Sequence, residues 1–333
     1  MKKLIIVTGA SGHLGGTIIR ILAKADCAVR GLLLPSDDAP EIYGAEYFRG
    51  DVRDIGSLSG LFEGIEDFET YVIHTAGIVD ISDRVTPAMY AVNVTGTKNM
   101  IAMCMRRGVK RLVYVSSVHA IPEKKNSQAQ AEVEAFSPEL VLGGYAKTKA
   151  EATQAVLDAV KYGLDAVVIH PSGIIGPFDN SGNHLVQMFV DFVNDHLPAC
   201  VTGGYDLVDV RDVAQGCIDA CEKGVTGECY ILSNKRYEIR DLLKLIKRDR
   251  GRKKLIVLPN WVAKALIPFL TLHAKRLKIR PLITRYSLHT LKSNSNFSHD
   301  KASKTLGYEP RDINLTLSDM TDWIKNKRKV KVK

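Results

Sequence analysis

The chain has 333 residues, 45% of them apolar and 25% charged, enough to bury a large core as one big domain or two moderate ones. Its formal net charge of +9 is concentrated, with six cations in KNKRKVKVK (325–333) and seven against one acid in KLIKRDRGRKK (244–254). No aromatic residues interleave with them, so they read as a solvated basic C-terminal tail over 321–333 and a solvated loop, and no nucleic-acid partner is expected.

The opening MKKLIIVTGASG has the basic-apolar look of a signal peptide, but its apolar stretch is about five residues, short of the ~7–15 of a signal core. It reads better as the first buried strand, KLIIVTG (3–9), of a cytoplasmic protein. Further apolar runs follow at CAVRGLLL (27–34), TYVIHTA (70–76), RLVYVSS (111–117) and DAVVIHP (165–171). Continuous runs of this kind mark strands buried on both faces of a parallel sheet. AEYFRGD (45–51) and ECYILS (228–233) add two more. Between them GGTIIRILAKA, TGTKNMIAMCMRRG and AKTKAEATQAVLDAVKYG read as helices, the last two ending at glycine. The alternation predicts an α/β fold, a doubly wound parallel sheet.

After Pro171 the rhythm breaks. Residues 1–170 and 206–233 are assigned to a dinucleotide-binding Rossmann domain, and 171–205 and 234–320 to a smaller C-terminal substrate lobe. WVAKALIPFLTL (261–272), with Trp261, Leu266, Ile267, Phe269 and Leu270, is expected as an apolar lid. Followed by basic residues, it also looks like an interfacial helix. Pro268 and the lid role favour a folded lobe, and no apolar run reaches the roughly 18–20 residues of an integral membrane span. Six scattered cysteines without Cys-x-x-Cys suggest reduced thiols, with neither disulfides nor a metal site.

TGASGHLG (8–15) leaves the first strand and opens the first helix. Gly9 permits a tight turn, Gly12 lets backbone approach a pyrophosphate, and Gly15 allows close helix–strand packing. Ser11, His13 and Leu14 complete a loop whose N–H groups suit phosphate, so a dinucleotide cofactor is expected. At the end of the second strand an acid would favour NAD and an arginine NADP. Leu33, Leu34, Pro35 and Ser36 stand there, with Arg30 and Asp37 near but displaced. NAD against NADP stays open, and the missing acid tilts the expectation to NADP.

VLGGYAKTKAEA (141–152) places Lys149 four residues after Tyr145, on one face of a helix. RLVYVSSVHA ends its strand with Ser116 and Ser117, and chemistry in an open α/β sheet sits at such carboxyl ends. Together with VIHTAGIVD, VNVTGTKN, HPSGIIGP and DVRDVA, these motifs resemble the extended short-chain dehydrogenase/reductase superfamily across nearly the whole chain. The resemblance is nearest to its dihydroflavonol-reductase-like and 3β-hydroxysteroid-dehydrogenase-like branch.

That resemblance implies that Tyr145 exchanges a proton with a substrate oxygen as hydride moves to or from a nicotinamide. An ordinary phenol, with a pKa of about 10, is a weak base near neutral pH; the Lys149 ammonium is expected to lower it, and by the same resemblance Lys149 and Tyr145 also face the cofactor, Lys149 hydrogen-bonding the nicotinamide ribose. Ser117, rather than Ser116, would orient the substrate carbonyl or alcohol. Asp51 and Val52 would flank adenine, Ala76 and Gly77 would pass beneath the cofactor, and Pro171 would line the nicotinamide side. Asn93 would either face the cofactor or brace its helix. His74, His119 and His170 lack ligand spacing and read as structural.

Three departures narrow the reaction. Val118 and His119 stand where dehydratases of the superfamily carry an acidic pair. Tyr205 and Asp206 precede DVRDVA, where epimerases carry an arginine for a diphosphate. The C-terminal lobe is apolar. The leading expectation is an NAD(P)-dependent oxidoreductase interconverting a carbonyl and a secondary alcohol on a small apolar substrate. A sugar-nucleotide epimerase and a non-catalytic cofactor sensor are the alternatives, and a homodimer is expected only by resemblance.

Overall fold

A computed structural model of the chain describes residues 1–331 apart from 39–41, 81–82, 125–127, 198, 247–254, 278–284 and 294. The first half alternates β1 (Lys2–Thr8), α1 (His13–Leu22), β2 (Ala28–Leu33), β3 (Glu46–Arg49) and β4 (Phe68–His74). Next come α2 (Pro87–Tyr90), a π-turn at Ala91–Thr95, α3 (Gly96–Arg107), β5 (Arg111–Val115), α4 (Gly144–Val160) and β6 (Ala166–Pro171). Four elements then leave the sheet, β7 (Gly173–Ile175), α5 (His184–Val193), β8 (Ala199–Val201) and β9 (Gly204–Asp209). After α6 (Val210–Lys223) and β10 (Cys229–Leu232) come β11 (Lys235–Glu238), α7 (Ile239–Leu245) and β12 (Ile256–Leu258). The chain continues through α8 (Asn260–Leu277), α9 (Arg285–Thr290), α10 (Asp300–Leu306) and α11 (Ile313–Lys331).

The main sheet runs β10-β6-β5-β4-β1-β2-β3 with every pair parallel. This is the doubly wound Rossmann sheet that the apolar runs predict. Its inner strands are buried over most of their length because helices cover both faces, whereas the edge strand β3 is not. On one face lie Ile18, Ile19 and Leu22 of α1 with Val213 and Cys217 of α6. On the other lie Met100 and Cys104 of α3 with Ala152 and Val156 of α4. The strand order reverses between β1 and β4, which opens a crevice at their carboxyl ends. All six cysteines are free thiols, five of them buried.

A third core, around Phe189, Leu207, Leu242 and Met320, belongs to the C-terminal lobe, which is built on a β11-β9-β7 sheet and a β12-β8 pair. β9 pairs there, whereas α6 and β10 return to the main sheet. The tail expected from residue 321 starts inside α11, because Leu317, Met320 and Ile324 recur at helical spacing and are buried. Most of the basic loop after Ile246 lies outside the described residues. Of the residues singled out for a lid over 261–272, those described divide between the lobe core and solvent. The helical period turns Ala263 and Ile267 towards the lobe core and leaves Trp261 74% and Phe269 71% exposed. The side chains of Leu266 and Leu270 lie outside the described residues. Among the described residues no helix is long and apolar enough to cross a membrane.

Candidate active site

The crevice is fitted closely around the glycine loop. Gly9 has φ +70°, and a Cβ on Gly15 would stand 2.2 Å from the Gly9 carbonyl oxygen. Both positions therefore exclude larger residues. Gly12 caps α1 without any side-chain hydrogen bond, so the first-turn N–H groups are left for another acceptor. His13 Nε2 donates to the Pro177 carbonyl (2.9 Å), tying this loop to the segment after β7, and burial lowers its pKa. Leu14 is partly buried against the core on the α1 face of the sheet. A bare helix N-terminus framed by glycines that tolerate no Cβ fits a pyrophosphate.

Beside this loop Ser11 Oγ donates to Asp37 Oδ2 at 2.5 Å. Arg49 Nη1 binds the carbonyls of Leu34, Pro35 and Asp37 (3.2, 2.9 and 2.8 Å) and so folds the segment after β2 back towards the glycines. An acid thus stands beside the loop, although the sequence at the strand end shows none. Arg30 is engaged elsewhere, on the carbonyls of Leu61 and Glu63.

Asp51 follows β3, its carboxyl held below the ordinary range chiefly by hydrogen bonds from Arg53. Val52 is buried against Gly96, where a Cβ would come within 2.6 Å. Ala76 N donates to Thr8 Oγ1 (3.2 Å), and a Cβ on Gly77 would lie 3.6 Å from Lys149 Nζ. Asn93 sits in the π-turn, a distortion often found near functional sites. Its amide binds the Ile78 N–H (2.7 Å), the Ile78 carbonyl (3.0 Å) and Thr148 Oγ1 (3.0 Å). It braces the strand leaving β4, and its polar atoms are committed to protein rather than offered to a cofactor.

Gly143 and Gly144 deliver Tyr145 onto α4 for reasons of space. Gly143 has φ +92°, and a Cβ on Gly144 would stand 2.2 Å from the Arg84 carbonyl oxygen. Tyr145, Lys149, Ala152 and Val156 then form the buried stripe of the helix. Lys149 Nζ donates to the Val115 carbonyl (2.7 Å) and lies 4.9 Å from the Tyr114 ring centroid. Burial brings its pKa down to about 7. Burial pushes Tyr145 up to about 12, and hydrogen bonding with Ser117 works the other way. The expected lowering of the phenol by the lysine is therefore corrected: the ammonium rests on the β5 backbone, and Ser117 opposes the rise.

Ser117 follows β5. Its Oγ accepts from His119 N (3.2 Å), and its carbonyl accepts from His170 Nδ1 (2.9 Å). The Ser116 hydroxyl is engaged with Thr153 Oγ1 (2.6 Å), which leaves Ser117 as the serine beside Tyr145. Pro171 ends β6, and Ser172 Oγ then donates to Asp206 Oδ1 at 2.5 Å. Asp206 is buried, and burial raises its carboxyl to about 6.

Two residues at the site were not assigned to it from the sequence: His119, which reads there as structural, and Tyr286, which no motif marks. The His119 ring lies 6.3 Å from Tyr145 and 5.9 Å from Tyr286, centroid to centroid. Burial holds His119 neutral, with a pKa of about 4. His74 and His170 do behave structurally, the first between Thr8 and Thr97 and the second on Ser117. Tyr286, from α9, presses on Gly143, where a Cβ would meet its ring at 2.4 Å. Its backbone N–H donates to Asp83 Oδ1 (3.1 Å), yet among the described residues its buried hydroxyl has no partner. The paired glycines signal this close approach, whereas nothing around Tyr286 in the sequence announces it. No cluster that could hold a metal occurs among the described residues.

The sequence profile of the NAD dependent epimerase/dehydratase family matches residues 5–233. The chain belongs to this family. It is similar to sterol demethylase protein B of Methylococcus capsulatus, 29% identical over 97% of this chain and 98% of that protein. A putative dihydroflavonol 4-reductase of Synechocystis sp. is 28% identical over 99% and 97%. Among solved structures, gox2253 superposes with a TM-score of 0.79 at 29% identity, covering 98% of this chain and 99% of that one. The UDP-glucose 4-epimerase of Thermus thermophilus complexed with NAD shares the fold, with a TM-score of 0.73 at 21% identity over 97% and 99%. The chain is thus an NAD(P)-dependent enzyme of the extended short-chain dehydrogenase/reductase branch, which includes both oxidoreductases and epimerases.

Proposed function

We propose that this enzyme interconverts a carbonyl and a secondary alcohol on a small, apolar substrate, with Tyr145 as the group that exchanges the proton. The observation that carries the reading is the meeting of Ser117, Tyr145 and Lys149 beside the crevice, framed by the neutral rings of His119 and Tyr286. A bound nicotinamide supplies or accepts the hydride. Ser117 orients the reacting oxygen, and Tyr145 donates its proton to that oxygen or removes it. A phenol held near 12 is fully protonated at neutral pH, which favours the reductive direction, where it acts as the acid. Lys149, held on the Val115 carbonyl and beside Gly77, would hydrogen-bond the ribose hydroxyls of the bound nicotinamide cofactor.

Asp37 supports NAD over NADP. A carboxylate fixed on the glycine loop accepts a hydrogen bond from a free 2′-hydroxyl and repels a 2′-phosphate. Asp206 and Tyr205, in place of an arginine, speak against a diphosphate-bearing sugar. The test is a panel of ketones and secondary alcohols with both nicotinamide cofactors, followed by the absorbance of the reduced nicotinamide. Reduction of apolar ketones with a preference for NADH is expected. Conversion of UDP-sugars with no net change in absorbance would overturn the reading in favour of an epimerase.

A further inference from the structure

α8 carries an exposed face that nothing in the described protein covers. Trp261, Lys264, Ala265, Pro268 and Phe269 all point to solvent at a spacing of three, four, seven and eight residues, which is one side of a helix. The opposite side, Ala263 and Ile267, is bound to the lobe core. On the strand that leads into the helix, Ile256 is 59% exposed. Large aromatics left about three-quarters exposed on a helix that could bury them mark a surface with a partner.

The charge pattern selects that partner. From residue 250 to residue 299 the sequence holds eleven lysines and arginines and no aspartate or glutamate. Lys264 and Arg276 of this run are exposed on α8 itself. A second copy of the chain meeting this face through a two-fold axis would bring the exposed Lys264 and Arg276 against their own counterparts, which opposes association. An apolar-aromatic helix face flanked by cations suits an anionic lipid surface, where Trp and Phe enter the acyl boundary and Lys and Arg meet the headgroups.

We propose that α8 seats this enzyme on an anionic membrane surface as an interfacial helix, without spanning it. The proposal is independent of the reaction assigned to the crevice.

The test is flotation of the full chain with vesicles of phosphatidylcholine containing about 30% phosphatidylglycerol, against pure phosphatidylcholine vesicles. The protein should float with the anionic vesicles, and bound protein should fall at least about fivefold on the neutral ones or at high salt. Trp261→Ser with Phe269→Ser should lose at least about tenfold in binding while the melting temperature stays within about two degrees, since exposed residues contribute little to folding. Lys264→Glu should weaken binding less. Wild-type protein left at the bottom of the gradient would overturn the proposal. So would equal flotation of the double variant, or a double variant that changes only the oligomeric mass measured by light scattering.

Discussion

Two walls meet at Tyr145, and they hold their groups in different ways. On the side of β1, α1 and β4, backbone approaches backbone so closely that one methyl group at Gly15 would come within 2.2 Å of a carbonyl oxygen. On the side of α4 and α9, aromatic rings from separate parts of the chain lean on one another at about 6 Å, and a buried hydroxyl at Tyr286 goes unpaired among the described residues. The first wall can recognise only one shape, which suits a common cofactor. The second is held by side-chain contacts that a few substitutions would reshape, which suits a substrate that differs from relative to relative.

The contrast can be broken most sharply at Gly15. Gly15→Ala should lower dinucleotide affinity about five- to 150-fold, because overpacking against fixed backbone costs about 1–3 kcal/mol and the glycines cannot retreat. Titration of NADH fluorescence reads it, and near-normal affinity would mean that the first wall yields after all.

Lys149 belongs to both walls and should reveal what its burial costs. Its folded pKa, about 7, lies below the unfolded value of about 10.4, so between these pH values the unfolded chain binds the extra proton and stability rises with pH. Lys149→Met removes that rise and should stabilise the protein at pH 7 by an amount on the order of a few kcal/mol, with turnover lost. Melting curves of both proteins at pH 7 and pH 9 test this through their difference, since the buried cysteines titrate in both. A variant that melts lower than wild type at pH 7 would contradict it.

A smaller effect is expected on the second wall. Tyr286→Phe removes an unpaired buried hydroxyl and should leave the protein as stable or more stable by about 1 kcal/mol. If that hydroxyl binds substrate, KM should rise about three- to tenfold with kcat little changed. Unchanged kinetics would make Tyr286 a packing residue only.

The sheet was legible because its inner strands are mostly apolar and two of the predicted helices end at glycine, both local signals. The glycine loop was legible for the same reason. Asp37 was visible as a residue but not as a neighbour of the loop, because Arg49, on the adjacent strand, folds its segment back. The sequence spacing of Tyr145 and Lys149 indicated a shared helix face, but could not reveal that the ammonium would settle on the Val115 carbonyl. Tyr286 and His119 reach the site through tertiary contacts between distant segments, and Trp261 and Phe269 of α8 stand on its solvent side, which apolar composition alone does not indicate.

The central claim is that Tyr145 moves a proton and does not hold the cofactor. Turnover of a ketone from the panel should fall at least about a thousandfold in Tyr145→Phe, while the affinity for NADH stays within about threefold of wild type. Turnover retained within about tenfold, or cofactor binding lost together with activity, would contradict it.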